Sequence, residues 1–242
     1  LVNIFSPVHA FFHITTRPAG KQDIALEYII SSRKLATGFL GEYVKFFFNH
    51  TREGGLCMKS VVAFVGSPQR YGNTATLVEE AARGARDGGA EVKVYYLNEL
   101  NFNGCQSCLT CRQKPECGQK DELTPLYEEI AQADAVIIGT PIYMWQVSSQ
   151  TKKLFDRFYV LTGPDLQPRF GTKNTLMIYS QASLNPDQYQ AYFEYTAKML
   201  AGLFGLNVVD TIVAAGAISP DTAKSNQSLM IQAFTAGRQL VS

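Results

Sequence analysis

Histidine is almost missing from this chain. Its 242 residues include only three histidines, His9, His13 and His50, and all of them precede residue 58. Over residues 58–242 the absence excludes Ser-His-Asp and Cys-His catalytic arrangements and histidine-ligated metal centres. Chemistry in that part of the chain therefore has to come from other side chains or from a bound cofactor.

The sequence also lacks an excess of charge and any long apolar run. Its 22 basic and 21 acidic residues nearly balance, which gives no electrostatic reason to expect nucleic acid or an anionic membrane surface as a partner. No stretch approaches the roughly 20 apolar residues that a membrane-spanning helix needs, and no secretory signal is evident. Because 46% of the residues are hydrophobic, we expect a globular protein with one substantial core.

Cysteine is also scarce, but four of the five cysteines crowd into one short segment. Cys105, Cys108, Cys111 and Cys117 follow the pattern C-x2-C-x2-C-x5-C. A secreted disulfide framework would spread its cysteines along the chain, so the crowding favours a reducing, cytoplasmic location. The spacing is typical of a [4Fe–4S] site, whereas zinc more often uses two separated C-x2-C pairs. Free thiols or a labile disulfide are the alternative interpretation.

The first 57 residues differ in character from the rest of the chain. They show no clear hydrophobic period, and Glu53-Gly54-Gly55 is a triplet that a purine-rich ribosome-binding site would encode. A clean strand pattern, KSVVAFVG, begins immediately after Met58. We therefore predict that residues 1–57 are translated leader sequence and that Met58 is the native start. The alternative is a weakly structured extension with helical character around residues 24–40.

Residues 58–242 alternate between strand-length apolar runs and helix-length amphipathic stretches. Five βα units in a row predict a parallel sheet covered by helices on both faces. Ligands bind beyond the carboxyl ends of the strands in such sheets, so the loops after the first, third and fourth strands are the expected sites. The expected strands cover residues 60–66, 91–97, 134–140, 174–180 and 206–216, and the expected helices cover 73–86, 123–132, 148–159, 187–203 and a last helix from Ser219 to about Leu240.

The loop after the first strand, GSPQRYGNT (66–74), has the composition of a phosphate site. Its glycines permit a tight turn, its hydroxyl and amide groups bind oxygen, and the following helix start adds free N–H groups and a positive dipole end. It matches neither the nucleoside-triphosphatase pattern nor the dinucleotide pattern G-x-G-x-x-G. A terminal monophosphate is the better fit, and a polar turn with an Asn N-cap is the alternative.

The loop after the third strand begins the stretch GTPIYMWQVSSQTKKLFDRF (139–158). We expect Pro141 to end the strand, so that the bulky residues after it can wall a flat aromatic ligand. Packing of this loop on its own helix, or a dimer contact, is the alternative. On the next helix, Lys153, Asp156 and Arg157 are interpreted as solvated or interface charges.

These three motifs, in this order, resemble the flavodoxin-like NAD(P)H-dependent FMN reductases, and within them the iron–sulfur flavoprotein branch. The resemblance covers essentially all of residues 58–242 and none of 1–57. Two positions depart from the family pattern. Gln69 stands where the family often has Arg, with Arg70 following, and Met144 separates Tyr143 from Trp145.

The resemblance implies a three-layer αβα sandwich around a five-stranded parallel sheet of order 2-1-3-4-5. It implies FMN as cofactor, NAD(P)H as donor, a small-molecule or protein acceptor, and a homodimer or homotetramer. No side chain is assigned a catalytic role, because flavin N5 carries the chemistry. The implied contacts are Ser67, Arg70, Gly72, Asn73 and Thr74 at the FMN phosphate, Pro141, Ile142, Tyr143, Met144 and Trp145 along the isoalloxazine, and Ser180, Gln181 and Ala182 at the flavin rim, with the four cysteines holding a [4Fe–4S] cluster.

Two other functions stay open on the sequence alone. A flavodoxin-like electron carrier would bind FMN without reacting with a pyridine nucleotide, although the near-neutral charge argues against it. A redox or iron-handling flavoprotein would use the cysteines as its principal working groups.

Overall fold

The computed structural model describes residues 58–242, and the expectations for residues 1–57 lie outside this range. Five long parallel strands form one sheet of order β2-β1-β3-β5-β6. This order equals the predicted 2-1-3-4-5 when the five long strands are counted alone. A sixth strand, β4, is very short, was not predicted, and pairs antiparallel with the end of β3. The strands are β1 (Ser60–Val65), β2 (Glu91–Tyr96), β3 (Ala135–Tyr143), β4 (Gln146–Val147), β5 (Lys173–Ser180) and β6 (Leu206–Ala214).

The helices lie close to their predicted positions, with differences at their ends. The last helix does not begin at Ser219; its main part starts after Asn226, whose side chain accepts a hydrogen bond from the Leu229 N–H at 3.1 Å. A short helix within the cysteine segment was not predicted. The helices are α1 (Asn73–Asp87), α2 (Thr110–Gln113), α3 (Leu126–Gln132), α4 (Ser149–Arg157), α5 (Gln190–Phe204), α6 (Thr222–Ser225) and α7 (Gln227–Gln239), with 3-10 turns at Phe158–Leu161 and Pro186–Tyr189.

Both faces of the sheet are buried, which gives the predicted three layers. In β1, Val62 and Phe64 point into one hydrophobic cluster, whereas Val61, Ala63 and Val65 point into the other. The first cluster is completed by α3, α4 and α5, and the second by α1 and α7. Side chains alternate between the two faces of a strand, so a continuous apolar run such as this one is buried on both sides. None of the helices in residues 58–242 has the length and apolar character needed to cross a membrane.

Pro141 does not end the third strand, which corrects the sequence-based expectation. Strand β3 continues to Tyr143, and Pro141 lies opposite Ser180 of β5. On the other side, pairing with β1 stops at Gly139. Because no strand lies beside Pro141 there, its missing N–H is tolerated, as it is at a sheet edge. The chain then reverses into β4, so the loop after the third strand is a hairpin.

Candidate functional site

The loop after β1 is fixed to the start of α4 by buried hydroxyl groups. The Ser148 hydroxyl donates to the Gly66 carbonyl at 2.5 Å, and the Gly66 N–H donates to the Gly139 carbonyl at 2.7 Å. A Cβ at Gly66 would lie only 1.8 Å from Thr151 Oγ1, so this position has no room for a side chain. The loop therefore has a defined position at the carboxyl edge of the sheet.

The start of α1 presents unused hydrogen-bond donors at this edge. No side chain caps the helix at Gly72. Among residues 58–242, the backbone N–H groups of Asn73, Thr74 and Ala75 find no acceptor, while the Thr76 N–H already bonds to the Gly72 carbonyl. Nearby, Ser67 Oγ accepts from the Gln69 N–H at 3.1 Å. Three free N–H groups at the positive end of a helix dipole suit an anion.

The side chains at the helix start mainly hold neighbouring loops. Asn73 Nδ2 donates to the Ser219 carbonyl at 2.8 Å, and Asn73 Oδ1 accepts from the Ala223 N–H at 2.7 Å. The Asn73 amide is therefore committed, which leaves its backbone N–H for a ligand. The buried hydroxyls of Thr74 and Ser180 lie 2.7 Å apart and join the start of α1 to the end of β5.

Arg70 is exposed and turns toward β2. It forms an ion pair with Glu99, and its guanidinium lies 4.3 Å from the centre of the Tyr96 ring. The hydrogen bond from Arg70 to Glu99 is the main reason that the pKa of Arg70 is raised. A phosphate on the loop after β1 would therefore compete with Glu99 for this guanidinium.

The turn between β3 and β4 carries two bulky residues in an unfavourable backbone conformation. Met144 and Trp145 have φ values of 44° and 68°, and the two residues are 81% and 72% exposed. Two-residue hairpin turns with two positive φ values favour Asn-Gly, so Met-Trp costs about 1 kcal/mol or more per residue. Strain and exposure of this kind are typical of a functional position.

The other residues predicted along this loop have different surroundings. Tyr143 is partly exposed next to the turn, whereas Pro141 and Ile142 are buried. The Ile142 side chain packs within the hydrophobic core. Pro141 and Ile142 can therefore offer backbone groups to a ligand at this edge, but the exposed side chains belong to Tyr143, Met144 and Trp145.

The loop after β5 contains a buried acceptor without a partner. Gln181 Nε2 donates to the Asn185 carbonyl at 2.6 Å, but Gln181 Oε1 is buried and has no hydrogen-bond partner in residues 58–242. Buried polar atoms are nearly always hydrogen-bonded, so an orphan points to a missing donor. Ser180 beside it is buried, and Ala182 is exposed.

The four cysteines of the segment after β2 line one cavity of about 50 Å³. All four are free thiols; Cys105 and Cys108 are exposed, and Cys111 and Cys117 are half-buried. Hydrogen bonds from Thr110 lower the pKa of Cys108, whereas burial raises the pKa of Cys111.

The backbone around Cys108 is also constrained. The residues on either side, Ser107 and Leu109, have φ values of 54° and 58°. A Cβ at Gly118 would lie 3.0 Å from Cys108 Sγ. The absence of a side chain at Gly118 therefore makes room for the Cys108 thiol.

Residues 59–219 match the family model described as NADPH-dependent FMN reductase. The chain belongs to this family. An iron–sulfur flavoprotein of Archaeoglobus fulgidus is 29% identical over 138 residues, which are 57% of this chain and 61% of the relative. An iron–sulfur flavoprotein of Methanocaldococcus jannaschii is 34% identical over 97 residues, 40% of this chain and 50% of the relative. The chain thus spans about half to three fifths of the length of these curated relatives. The predicted family and branch are confirmed.

Solved structures share the fold of this FMN reductase family member. An NAD(P)H:quinone oxidoreductase from Methanothermobacter marburgensis aligns with a TM-score of 0.57 at 20% identity, over 77% of this chain and 98% of that one. An FMN-dependent NADH-azoreductase from Bacillus anthracis aligns with a TM-score of 0.57 at 12% identity, over 76% of this chain and 100% of that one. At these identities the likeness shows the fold alone, and the predicted flavodoxin-like fold is confirmed.

In this family member, the four cysteines are the candidate metal ligands of the segment after β2. No three His, Cys, Asp or Glu side chains within residues 58–242 are placed around one ion. Four zinc ligands have to meet at a single atom, whereas in a four-iron cluster each cysteine binds a different iron. Four thiols around one shared cavity match the number and type of ligands that a [4Fe–4S] cluster uses.

Arg157, interpreted from the sequence as a solvated or interface charge, is in fact buried and only 2% exposed. Its NH1 and NH2 groups bind the two carboxylate oxygens of Asp121 at 2.7 and 3.1 Å, and its Nε donates to the Tyr127 hydroxyl at 2.9 Å. Burial alone would raise the pKa of Asp121, but the hydrogen bonds and charge of Arg157 outweigh it and lower that pKa. Helical spacing could have found this residue, because Thr151, Leu154 and Arg157 share the buried face of α4.

Proposed function

We propose that this protein binds FMN at the carboxyl edge of its sheet and transfers electrons from NAD(P)H, through the flavin, to an acceptor. The observation that carries the proposal is the uncapped start of α1, where three N–H groups have no hydrogen-bond partner within residues 58–242. The family model, described as NADPH-dependent FMN reductase, supports both the flavin and the donor.

The residues of the loop after β1 fit the terminal phosphate of FMN. The backbone N–H groups at the start of α1 would donate to the phosphate oxygens, helped by the hydroxyls of Ser67 and Thr74. Gly72 carries no side chain that could occupy the capping position. Arg70 would bind the phosphate only by leaving Glu99, which makes it the weakest candidate of the predicted set.

The residues of the two neighbouring loops fit the flat flavin ring. Tyr143, Met144 and Trp145 offer exposed apolar surface at the hairpin turn. Gln181 Oε1 is a buried acceptor in need of a donor, and the imide N–H of a flavin is a donor of that kind. Bound FMN would supply hydride and electron transfer, so the protein's part is to bind and orient it and to leave one face accessible.

We further propose that the four cysteines hold a [4Fe–4S] cluster that exchanges electrons with the flavin. The shared cavity, the spacing and the iron–sulfur flavoprotein relatives support this assignment. The acceptor is a small molecule or a protein, and assembly as a homodimer or homotetramer stays a prediction.

Anaerobic purification of the full chain, followed by addition of FMN and then of NADPH or NADH, tests the proposal. We expect tight flavin binding, reduction of the flavin by at least one nucleotide, and iron and sulfide in a ratio near one after reconstitution. Flavin binding without nucleotide oxidation would instead indicate an electron carrier. If turnover is unchanged when the cysteines are replaced by serine, the reductase reaction does not require the cluster. Failure to bind FMN would refute the proposal as a whole.

A further inference from the structure

The cysteine segment is fastened at both of its ends to one buried side chain. Asn103 lies two residues before Cys105, and Asp121 lies four residues after Cys117. The Arg157 guanidinium donates to the Asn103 carbonyl at 2.8 Å and to both oxygens of Asp121 at 2.7 and 3.1 Å. A loop whose two ends meet at one group has far fewer conformations than a loop with free ends.

The same arginine connects this loop to the rest of the fold. Arg157 is the last residue of α4, and Ser148, just before α4, bonds to the loop after β1. Its Nε donates to the Tyr127 hydroxyl on α3. Only the planar guanidinium has donors that diverge to three such points; a lysine ammonium cannot reproduce this geometry.

Arg157 is also a charge beside the thiols. It lines the cavity together with the four cysteines, and the other charged residue of that wall, Asp156, is exposed and pairs with Lys152. The carboxylate of Asp121 compensates the charge of Arg157. The reduction potential of an iron–sulfur centre depends on nearby charge and solvent exposure. Removing the Asp121 carboxylate would therefore change the reduction potential of a centre bound by the four cysteines.

We propose that Arg157 is a positioning residue that holds the cysteine segment in its observed shape, and that Asp121 lowers the potential of the bound centre by masking the charge of Arg157. The part that concerns the potential rests on the proposed cluster. The part that concerns the shape of the segment does not depend on it.

The first test uses the cluster-free, reduced full chain and needs no activity. In Arg157→Lys we expect alkylation of the half-buried thiols of Cys111 and Cys117 to accelerate about tenfold, the effect of losing one charge-assisted hydrogen bond. Arg83→Lys is the matched control, because Arg83 is an exposed arginine on α1 that pairs with Glu80. Equal alkylation rates in the wild type and Arg157→Lys would overturn the positioning role.

The second test measures the potential of the reconstituted protein. Asp121→Asn should raise the equilibrium constant for reduction about tenfold, which is about 59 mV for one electron. Glu116→Gln also removes one negative charge next to Cys117, but Glu116 is exposed and pairs with Lys120, so its shift should be much smaller. Shifts of equal size in the two variants, or none in Asp121→Asn, would overturn the masking role. Wild-type protein that takes up no iron would refute the proposed cluster and with it the masking role, while the alkylation test would still decide the role of Arg157.

Discussion

The loop after β1 and the segment after β2 leave the same edge of the sheet but present opposite chemistry. At the end of the loop after β1, where α1 starts, the backbone is the candidate binding group: three N–H groups have no acceptor within residues 58–242, while the side chain of Asn73 holds its neighbours. In the segment after β2 the side chains are the working part, because four thiols surround one cavity.

The two regions are accordingly held in different ways. Buried hydroxyl groups and the close approach at Gly66 fix the loop after β1, and its arginine, Arg70, is exposed. The buried Arg157–Asp121 ion pair holds the end of the cysteine segment, and Arg169 donates to the Cys111 carbonyl within it at 2.9 Å. A backbone site therefore depends on close packing, whereas a side-chain site on a long loop depends on a few strong polar contacts.

The largest expected effect compares the two arginines directly. Arg157→Met should lower the free energy of unfolding by about 3–5 kcal/mol, because it leaves the Asp121 carboxylate without its partner in a partly buried site. Arg70→Met should change it by less than about 1 kcal/mol, because the Arg70–Glu99 pair is exposed. Urea unfolding of the full chain measures both. Equal losses would show that the two regions are held in the same way.

A smaller effect is expected from packing in the loop after β1. Gly66→Ala places a Cβ against Thr151 and should cost about 1–3 kcal/mol and abolish FMN binding. Gly202→Ala is the matched control, because a Cβ there meets nothing within 4 Å and α5 gains about 1 kcal/mol of helix propensity. Thermal unfolding and flavin titration measure the two effects. Normal FMN binding by Gly66→Ala would contradict the defined position of this loop.

The hairpin turn should show stability and binding changing in opposite directions. Met144→Asn with Trp145→Gly suits the two positive φ values, so we expect a gain of about 1 kcal/mol or more in stability. The same pair of changes removes the apolar surface and should weaken FMN binding about tenfold. Replacing both residues with alanine is the control, since it removes the surface but keeps the strain. Unchanged binding in both double variants would exclude this turn from the flavin site.

The smallest effect is a pH dependence from the cysteine segment. Because the pKa of Asp121 is lowered in the folded protein, its contribution to stability is complete above the unfolded value of about 4 and is lost as the pH falls through the lowered value. Urea unfolding between pH 7 and pH 3 should therefore show a loss at the acid end that is smaller in Asp121→Asn. An identical acid loss in the variant would mean that other carboxylates are responsible.

The fold could be predicted from the sequence because the signals are periodic. Apolar runs such as β1, whose alternate side chains reach both cores, and the alternating pattern of β2 predicted strands, and the regular succession of strands and helices predicted their parallel arrangement. The short strand β4 was not predicted because Met144-Trp145 is not a sequence typical of a hairpin turn. Met and Trp rarely adopt the positive φ values that this turn requires.

The candidate site was only partly predictable. Residue types indicated a phosphate loop and a cysteine centre, but composition does not show which groups are already in use. The commitment of the Asn73 amide to residues 219 and 223 depends on contacts far along the chain. The prediction for Arg157 is wrong because a charged side chain is usually exposed to solvent. The helical spacing of Arg157 from the other buried residues of α4 indicates its true position.

The central claim is that the carboxyl edge of the sheet binds FMN through the start of α1. Titration of the purified full chain with FMN, followed by the quenching of flavin fluorescence, tests it most directly, with Thr74→Val measured alongside. We predict saturable binding of one FMN per chain, weakened about tenfold in Thr74→Val by the loss of one hydrogen bond to a charged group. Absence of saturable binding would contradict the account, whereas equal affinity in Thr74→Val would show that the backbone N–H groups bind the phosphate without this hydroxyl.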